Sequence, residues 1–380
     1  MLALFCVLKW ILIKLYIKTL DYHIFSFFLL FVSKNKHNIG VMTHRELHAR
    51  VQLLKGRFAD ARDINLLQYS NVRKRFESLP RIKSQIAHQL GVPPNEITNA
   101  RLKMWQLLHM FPLVKCAPNN QVFRYFDNAA FPGSFILAVL DWSKARNIEV
   151  EWLASSITRP GFLLDTFGLQ KKFPRRWVMD EKNDGDVTNP VMIRRIRDTI
   201  TVKFGLYTSD LGFNVNGDPG NQELLHARAF VGHCLLGLLI LANGGNMVVK
   251  QYAITSELSQ SIVQIMKDHF QKLAIVKPFF SKSGNDESYI VGIGFRGYTK
   301  ATVQAMFRRM DAPRWDGTSR LCNLRPTILT YINTIRCQML TDQISYLQDF
   351  TAGLQGTNVD RSIHRRDTQL KQWMIDYPLF

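Results

Sequence analysis

Short apolar runs alternate with helix-length stretches between residues 120 and 298, and this alternation constrains the fold more than any other feature. Stretches with helical spacing separate the runs, most clearly at residues 222–241 and 256–273. Such an order predicts an α/β protein with a parallel sheet covered by helices on both faces. A polar turn too short for a crossover helix joins the last two runs, so the last strand is expected to be antiparallel. The apolar runs lie at residues 122–126, 148–154, 204–208, 247–252, 273–276 and 288–295.

Two stretches with helical spacing flank this α/β region. Residues 42–110 are rich in Lys and Arg and break once, at residues 92–94. Residues 299–380 return to helical spacing. The predicted organisation is an apolar segment at 1–41, a basic helical N-terminal extension at 42–110, an α/β domain at 111–298 and a helical C-terminal extension at 299–380.

Residues 1–33 are the most apolar part of the chain, but they do not predict a clean transmembrane helix. A membrane span needs about 20 apolar residues, and charges interrupt this stretch at Lys9, Lys14, Lys18 and Asp21. The segment could be an uncleaved anchor, an amphipathic surface helix, or sequence upstream of a start at Met42. Membrane association is therefore doubtful, and the fold prediction begins at residue 42.

The charge balance favours a partner rich in phosphate. The chain has 49 Lys and Arg against 30 Asp and Glu, a formal net charge of +19, and each neutralised phosphate releases counterions on binding. Nucleic acid is therefore favoured over a membrane as the partner.

The cysteine and histidine patterns exclude two other classes of site. The five cysteines are scattered without a Cys-x-x-Cys pair, which favours a reducing compartment, the cytoplasm, over a disulfide scaffold or a zinc module. His44 and His48 have the spacing of a zinc-hydrolase helix, but Glu46 stands at the wrong position and no third ligand is evident. No metal is predicted.

Polar residues lie at the ends of several predicted strands, where ligands collect in an open parallel sheet. A turn of small residues at 127–135 would let a ligand approach backbone amides, although an ordinary strand-to-helix turn has the same pattern. Asp210 and Lys250 end two strands, and Glu287 begins the last. Each has an ordinary alternative: a helix cap, a solvated amine and a hairpin residue, respectively.

The order and spacing of these features resemble a known family. Asp-x4-Pro-Gly-x-Phe at 127–135, Ser-Asp-x-Gly at 209–212, Gly-Gly-x-x-Val-x-Lys at 244–250, and Lys-Pro-x2-Ser then Glu-x-Tyr within 277–289 resemble the FtsJ/RrmJ-like RNA ribose 2′-O-methyltransferases. The resemblance covers about residues 95–298. It implies a Rossmann-like methyltransferase fold, with a mostly parallel seven-stranded sheet and an antiparallel last strand, and S-adenosyl-L-methionine as cofactor.

The same resemblance implies a catalytic tetrad of Lys, Asp, Lys and Glu. Its first lysine lies in a helix with the context Asn-Ala-x-x-Lys, which this chain has at 99–103. Lys250 is expected to accept or orient the proton of the 2′-hydroxyl, with its pKa lowered by Lys103 and its position fixed by the two carboxylates. The implied catalytic residues are Lys103, Asp210, Lys250 and Glu287.

The resemblance also implies a site for the methyl donor. Ala129 and Ser134 replace family glycines in the donor loop, and Leu211 stands where a glycine is common. Asp186 is expected to accept a hydrogen bond from the adenine amino group, and Ser155 or Ser156 to lie near the ribose. The implied cofactor-binding residues are Asp127, Ala129, Ala130, Phe131, Pro132, Gly133, Ser134, Phe135, Ser155, Asp186 and Asp210.

Two segments, 152–156 and 183–188, resemble the cap-specific branch of the family and the FtsJ-like proteins of large DNA viruses. The implied substrate is the cap-proximal nucleotide of mRNA, and a viral protein could be associated with the virion. The basic extensions are expected to hold RNA phosphates. Trp105, Phe213 and Trp315 are candidates to stack a base, although each is more often a core residue.

Two alternatives share these motifs. One is a 2′-O-methyltransferase of ribosomal or other uncapped RNA, which differs only in its substrate. The other is a non-catalytic RNA-binding subunit on the same fold, in which the altered donor loop no longer binds cofactor. The complete tetrad argues against the second alternative. Methyl transfer to capped and uncapped RNAs of one sequence would distinguish the first alternative from a cap-specific enzyme. The sequence does not predict the oligomeric state.

Overall fold

A computed structural model describes residues 43–64, 66–115, 122–159, 164–180, 182–212 and 221–379. The apolar N-terminal segment and Phe213 lie outside these residues, so the expectations about them stay predictions.

One mixed sheet forms the centre of the described chain. The first four strands run parallel to one another, and β6 is antiparallel to both of its neighbours, β4 and β5. The strand order is β2-β1-β3-β4-β6-β5. This confirms the predicted α/β fold with an antiparallel last strand. The strands are β1 (Phe123–Asn128), β2 (Val150–Ser155), β3 (Phe204–Ser209), β4 (Leu241–Tyr252), β5 (Phe270–Val276) and β6 (Glu287–Phe295).

The sheet has six strands among the described residues, so the expectation of seven strands is wrong for this part of the chain. Beyond β2, the described residues form an isolated parallel bridge between Ala154 and Trp177, in which Val178 N donates to Ala154 O at 2.9 Å. A 3₁₀ turn at Pro174–Arg176 precedes this bridge, and a proline cannot donate to a strand ladder. Trp177 itself is buried, with its ring 4.8 Å from that of Phe131.

Helices cover both faces of the sheet and form the two extensions. The side chains on each strand alternate between faces, so Phe126 and Val249 lie in one apolar cluster while Tyr125 and Val248 lie in the other. The helices are α1 (His44–Ile64), α2 (Leu66–Phe76), α3 (Leu79–Leu90), α4 (Asn99–Met110), α5 (Ser134–Lys144), α6 (Leu169–Lys172), α7 (Pro190–Thr199), α8 (Gln222–Ile240), α9 (Glu257–His269), α10 (Lys300–Asp311), α11 (Pro326–Leu354) and α12 (Asp360–Asp376).

Helix α8 is the most deeply buried of the described helices. It is long and apolar enough to cross a membrane, but 83% of its most apolar window is buried in the protein. Most of its residues are buried, and they pack in an apolar cluster that includes Ile193, Val249 and Met310. A helix that is apolar all round is typical of a protein core as well as of a membrane, and here it lies in the core.

The two extensions pack against each other and against the α/β domain. Val72 and Phe76 of α2 share a buried cluster with Phe350 of α11. Trp373 of α12 shares another with Trp105 of α4. Helix α4 connects the N-terminal extension to the sheet, so the C-terminal helices contact the same part of the molecule that carries Lys103.

Candidate active site

The strand register brings three of the predicted tetrad residues to one edge of the sheet. Lys250 lies opposite Tyr289, and Tyr252 lies opposite Glu287, in the antiparallel pairing of β4 with β6. Residues two apart on a strand share a face, so these four side chains lie on the same face. Asp210 follows β3, the parallel neighbour of β4, directly.

Helix α4 supplies the fourth tetrad residue from above the sheet. Thr98 caps the helix, because its side chain accepts from Arg101 N at 3.1 Å, as an N-cap residue does. The Arg101 side chain is buried and pairs with Glu96 and with Asp141 of α5. These contacts anchor α4. The helix carries Lys103, which is only 6% exposed.

The four side chains and Tyr289 form one continuous network. Lys250 Nζ lies 3.0 Å from Asp210 Oδ1 and donates to the backbone oxygen of Asp210 at 2.7 Å. The Tyr289 hydroxyl donates to Asp210 Oδ1 at 2.6 Å and accepts from Lys103 Nζ at 3.0 Å. Lys103 Nζ also donates to Glu287 Oε1 at 2.8 Å. The structure therefore brings together all four predicted tetrad residues.

The electrostatics of Lys250 differ from the sequence-based expectation. Burial is the largest single influence and lowers the pKa of Lys250, but the negative charge of Asp210, the nearby Tyr252 and Glu287, and the hydrogen bond to Asp210 together outweigh it, so the pKa is raised. The expectation that Lys103 lowers it is wrong, because Lys103 is paired with Glu287 instead. The raised pKa favours the ammonium form of Lys250.

Glu287 is held as a carboxylate by the same arrangement. Burial raises the pKa of Glu287, but the charges of Lys103 and Lys250 and the hydrogen bonds from Lys103 and Ser281 lower it overall. Two lysines and two carboxylates balance in charge, which makes a buried quartet tolerable.

Sequence reasoning assigned no role to two residues that the network uses. Tyr289 appeared only as part of the Glu-x-Tyr spacing, and its position two residues after Glu287 on a strand was the signal for a shared face. Gly212 packs against the network, since an added Cβ there would lie 2.8 Å from Lys250 Nζ and 2.9 Å from the Tyr252 hydroxyl. A side chain at residue 212 would therefore displace the Lys250 amine.

The predicted donor loop follows β1 at the same edge of the sheet. Ala130 N donates to Ser155 O at 3.0 Å, and Phe131 N donates to Ser156 Oγ at 3.3 Å, so the loop is fixed to the end of β2. Gly133 has a φ of 109°, and a Cβ there would lie 2.2 Å from a Leu169 methyl carbon. Only glycine fits that position without a shift.

Both substitutions of family glycines are accommodated in this loop. Ala129 adopts a positive φ of 53°, a conformation that costs a residue with a Cβ some strain. Ser134 is buried, and its hydroxyl lies 2.9 Å from that of Thr98, the cap of α4. Ser134 therefore connects the helix after the donor loop to the helix that carries Lys103. Pro132 follows a cis peptide bond, and Phe135 is buried beside Tyr289.

Asp127 is a buried carboxyl group at the floor of this loop. Its side chain accepts from the Thr208 hydroxyl, and no cation lies among its hydrogen-bond partners in the described chain. Burial, with a smaller contribution from the charge of Asp210, raises the pKa of Asp127 to about 8 despite the hydrogen bonds from Thr208 and Tyr125, which lower it. A cationic ligand would favour the ionised form.

The strand ends around the donor loop fit a nucleoside ligand. Ser155 Oγ and Asn128 Oδ1 are buried and have no hydrogen-bond partner among the described residues. Buried polar atoms in proteins nearly always have a partner, so these two atoms are suited to the hydroxyl groups of a bound ribose.

Asp186 lies near this region but already has partners. Its carboxylate pairs with Arg159 and accepts from Thr188 N at 2.9 Å and Thr188 Oγ1 at 2.7 Å. Thr158 N donates to Asp184 O at 3.1 Å, which holds this segment close to the end of β2. An adenine amino group would have to share Asp186 with Arg159, so this contact stays a prediction.

The loop after β4 is strained and is held by Glu223. Ala253 and Ile254 both have positive φ, 57° and 54°, and for a β-branched residue this is an outlier. Glu223 is 8% exposed and accepts from the backbone amides of Thr255 and Ser256 and from both of their hydroxyls. Such strain persists where the surroundings over-determine it, often at functional sites.

The two stacking candidates in the described part of the chain differ in burial. Trp105 is 2% exposed and belongs to the core, so it cannot stack a base. Trp315 is partly exposed, with Arg228 over its ring at 5.2 Å.

In the part of the chain that the structure describes, no group of three His, Cys, Asp or Glu residues could hold a metal ion.

The fold and the site define an S-adenosylmethionine-type methyltransferase architecture, and comparison with known families gives the same result. A family model described as FtsJ-like methyltransferase matches residues 97–295, which is more than half of the chain. The chain belongs to the FtsJ-like methyltransferase family.

Several curated proteins are similar to this chain. It is 32% identical over 272 residues to an African swine fever virus protein described as "Probable methyltransferase EP424R", covering 66% of this chain and 62% of that protein. It is 25% identical over 224 residues to the mouse "Cap-specific mRNA (nucleoside-2'-O-)-methyltransferase 2", covering 56% and 29%. It is 26% identical over 243 residues to the Caenorhabditis elegans "Cap-specific mRNA (nucleoside-2'-O-)-methyltransferase 1", covering 62% and 26%. The chain thus spans less than two thirds of the viral relative.

Proposed function

We propose that this chain transfers the methyl group of S-adenosyl-L-methionine to the 2′-hydroxyl of an RNA ribose, at the cap-proximal nucleotide of mRNA. The observation that carries the proposal is the network of Lys103, Asp210, Lys250 and Glu287 beside the donor loop. The cap-specific activity named for the mouse and C. elegans relatives supports the choice of substrate.

The bound donor supplies a sulfonium methyl group, and the residues of the chain orient the reaction. Asp127 is suited to the donor because it is a buried carboxyl group without a cationic hydrogen-bond partner in the described chain. The strand-end atoms Ser155 Oγ and Asn128 Oδ1 are suited to it because they are buried and have no hydrogen-bond partner among the described residues. Fixing the acceptor oxygen, the methyl carbon and the sulfur in line lowers the barrier by removing the entropy of alignment.

Lys250 acts as an ammonium ion in this proposal. Its Nζ, fixed by Asp210, donates a hydrogen bond to the ribose 2′-oxygen and aims a lone pair of that oxygen at the methyl carbon. The oxygen–carbon bond forms, the carbon–sulfur bond breaks, and the hydroxyl proton passes to water. Since the pKa of Lys250 is raised, orientation is favoured over proton abstraction for this residue.

The decisive experiment measures methyl transfer by the full chain to matched RNAs that are uncapped, capped without ribose methylation, or capped and methylated at the first nucleotide. Lys250→Ala should abolish transfer while donor binding stays nearly intact. Lys272→Ala is the matched control, because Lys272 is an exposed lysine on β5. Near-normal turnover by the Lys250 variant would overturn the role of this lysine.

The choice of RNA tests the rest of the proposal. Lysine-dependent labelling restricted to capped RNA would support the cap-proximal substrate, and the preference between the two capped RNAs would name the nucleotide. Equal labelling of uncapped RNA would indicate an enzyme of structural RNA. Absence of both labelling and donor binding would favour a non-catalytic RNA-binding subunit.

A further inference from the structure

The turn that leads into Glu287 is bound by helices from both extensions. We call residues 281–286 the Glu287 turn. Asp286 Oδ2 pairs with Lys55 Nζ of α1 at 2.6 Å, and Gly284 O accepts from Gln343 of α11 at 2.8 Å. Ser283 Oγ accepts from Arg366 of α12 at 3.0 Å. Side chains from residues far apart in sequence therefore converge on six residues.

Contacts within the α/β domain transmit the position of this turn to Glu287. Ser281 Oγ, at the start of the turn, donates to Glu287 Oε1 at 2.6 Å. Lys277 Nζ donates to Asn285 O at 2.7 Å and to Glu287 O at 3.0 Å. A shift of the turn would therefore move both the backbone and the carboxylate of Glu287.

The Lys55–Asp286 contact is an ion pair that is largely shielded from solvent. The two side chains are only 14% and 12% exposed. Burial raises the pKa of Asp286, but the charge and the hydrogen bond of Lys55 lower it overall. Asp286 O also accepts from Ala253 N at 3.2 Å, so the same residue contacts the strained loop after the Lys250 strand.

Lys55 is thus a basic residue of the N-terminal extension whose side chain is largely enclosed by the protein. The charge of the extension suggests phosphate contacts, but an enclosed lysine paired with a carboxylate is unsuited to them. A buried pair is also weak evidence for stability by itself, because the cost of desolvation offsets the attraction. Its position beside the tetrad points to another role.

We propose that Lys55, acting through Asp286, is a positioning residue that holds the Glu287 turn and thereby the Glu287 carboxylate in the tetrad. The N-terminal extension is then part of the catalytic architecture as well as a basic surface. This inference rests on the proposed function, because it concerns the same methyl transfer.

Three full-chain variants test the proposal: Lys55→Met, Asp286→Asn and the double variant. Each single variant leaves one buried charge without its partner, so its melting temperature falls. The double variant leaves none, so its melting temperature returns toward that of the wild type. The Lys55–Asp286 contact is absent in all three variants. Because small misplacements at an active site are costly, kcat should fall on the order of tenfold in each, with unchanged KM for RNA.

Lys74→Met is the matched control, since Lys74 is an exposed lysine of the same extension. It should leave kcat unchanged. If kcat of the double variant recovers together with its melting temperature, the pair is merely structural and the proposal fails. If Lys55→Met instead raises KM for RNA and reduces its salt dependence at unchanged kcat, Lys55 binds phosphate and the proposal also fails.

Amide hydrogen exchange separates this inference from the proposed function. In the double variant, exchange at residues 281–287 should rise at least severalfold while exchange in β1 and β3 stays unchanged. Unchanged exchange at residues 281–287 would overturn the proposed positioning role of Lys55 whether or not any RNA is methylated. Absence of transfer by the wild type would overturn the proposed function and leave the exchange test valid.

Discussion

Replacing Tyr289 by Phe removes one hydroxyl from the centre of the tetrad network. The side chain is fully buried, and its ring packs 6.1 Å from that of Phe135, a contact that Phe retains. The hydroxyl accepts from Lys103 at 3.0 Å and donates to Asp210 at 2.6 Å. Tyr289→Phe therefore removes two hydrogen bonds to charged groups and very little volume.

The expected loss of unfolding free energy depends on the hydrogen-bond partners that Lys103 and Asp210 keep in this variant. A buried polar group left unsatisfied costs about 1–3 kcal/mol. Lys103 keeps Glu287 at 2.8 Å and Asp210 keeps Lys250 at 3.0 Å, so the loss in unfolding free energy should lie near the lower end, about 1–2 kcal/mol. If the same hydroxyl positions Asp210 and Lys103 in the transition state, kcat falls about tenfold, since about 1.4 kcal/mol corresponds to tenfold in rate.

The assay compares Tyr289→Phe with Tyr207→Phe in the full chain. The Tyr207 hydroxyl is also fully buried and donates to His233 O at 2.7 Å, away from the tetrad. Both variants should lose similar unfolding free energy in urea, but only Tyr289→Phe should lose kcat. Wild-type turnover in Tyr289→Phe, or an equal loss of turnover in Tyr207→Phe, would refute the assigned bridging role.

Three further perturbations test the site. Gly212→Ala should lower kcat about tenfold with little loss of stability, because its Cβ would lie 2.8 Å from the movable Lys250 amine; turnover equal to the wild type would contradict this packing. Asp127 has a raised pKa of about 8, so the folded state retains its proton where the unfolded chain has lost it. The unfolding free energy should therefore fall as the pH rises from about 4 to about 8, and Asp127→Asn should flatten that slope; an unchanged slope would argue against a protonated Asp127. Glu223→Gln should reduce the unfolding free energy by about 1–3 kcal/mol, since an amide cannot accept from every donor around it; urea denaturation would show this, and a neutral result would mean that other contacts hold the strained loop.

The local patterns of the sequence predicted the sheet well. Alternating runs located all six strands, although β4 begins at Leu241 and β5 at Phe270, earlier than predicted. These starts were missed because Asn243 and the two glycines after it look like a turn, and because Gln271 and Lys272 are polar. The seventh strand came from resemblance alone, and the described residues replace it with an isolated bridge.

The residues of the candidate site were predictable from local motifs, but their electrostatics were not. Lys103, Asp210, Lys250 and Glu287 come from short motifs whose spacing is visible in the chain, and they converge in the structure. Their catalytic roles stay a proposal. The direction of the Lys250 pKa was predicted wrongly, because it depends on which charge lies nearest, and that is a property of the packed site.

The sequence by itself determined the order of strands and helices, the strand-end residues and the family, because periodicity and motif spacing are local properties of the chain. Only the tertiary structure decided which groups pair. Lys55 meets Asp286 across 231 positions of sequence, and Tyr289 joins Lys103 to Asp210. Such contacts depend on how helices pack over the sheet and on which side chains lose water there. No local pattern encodes those distances, and they set the charges of the site.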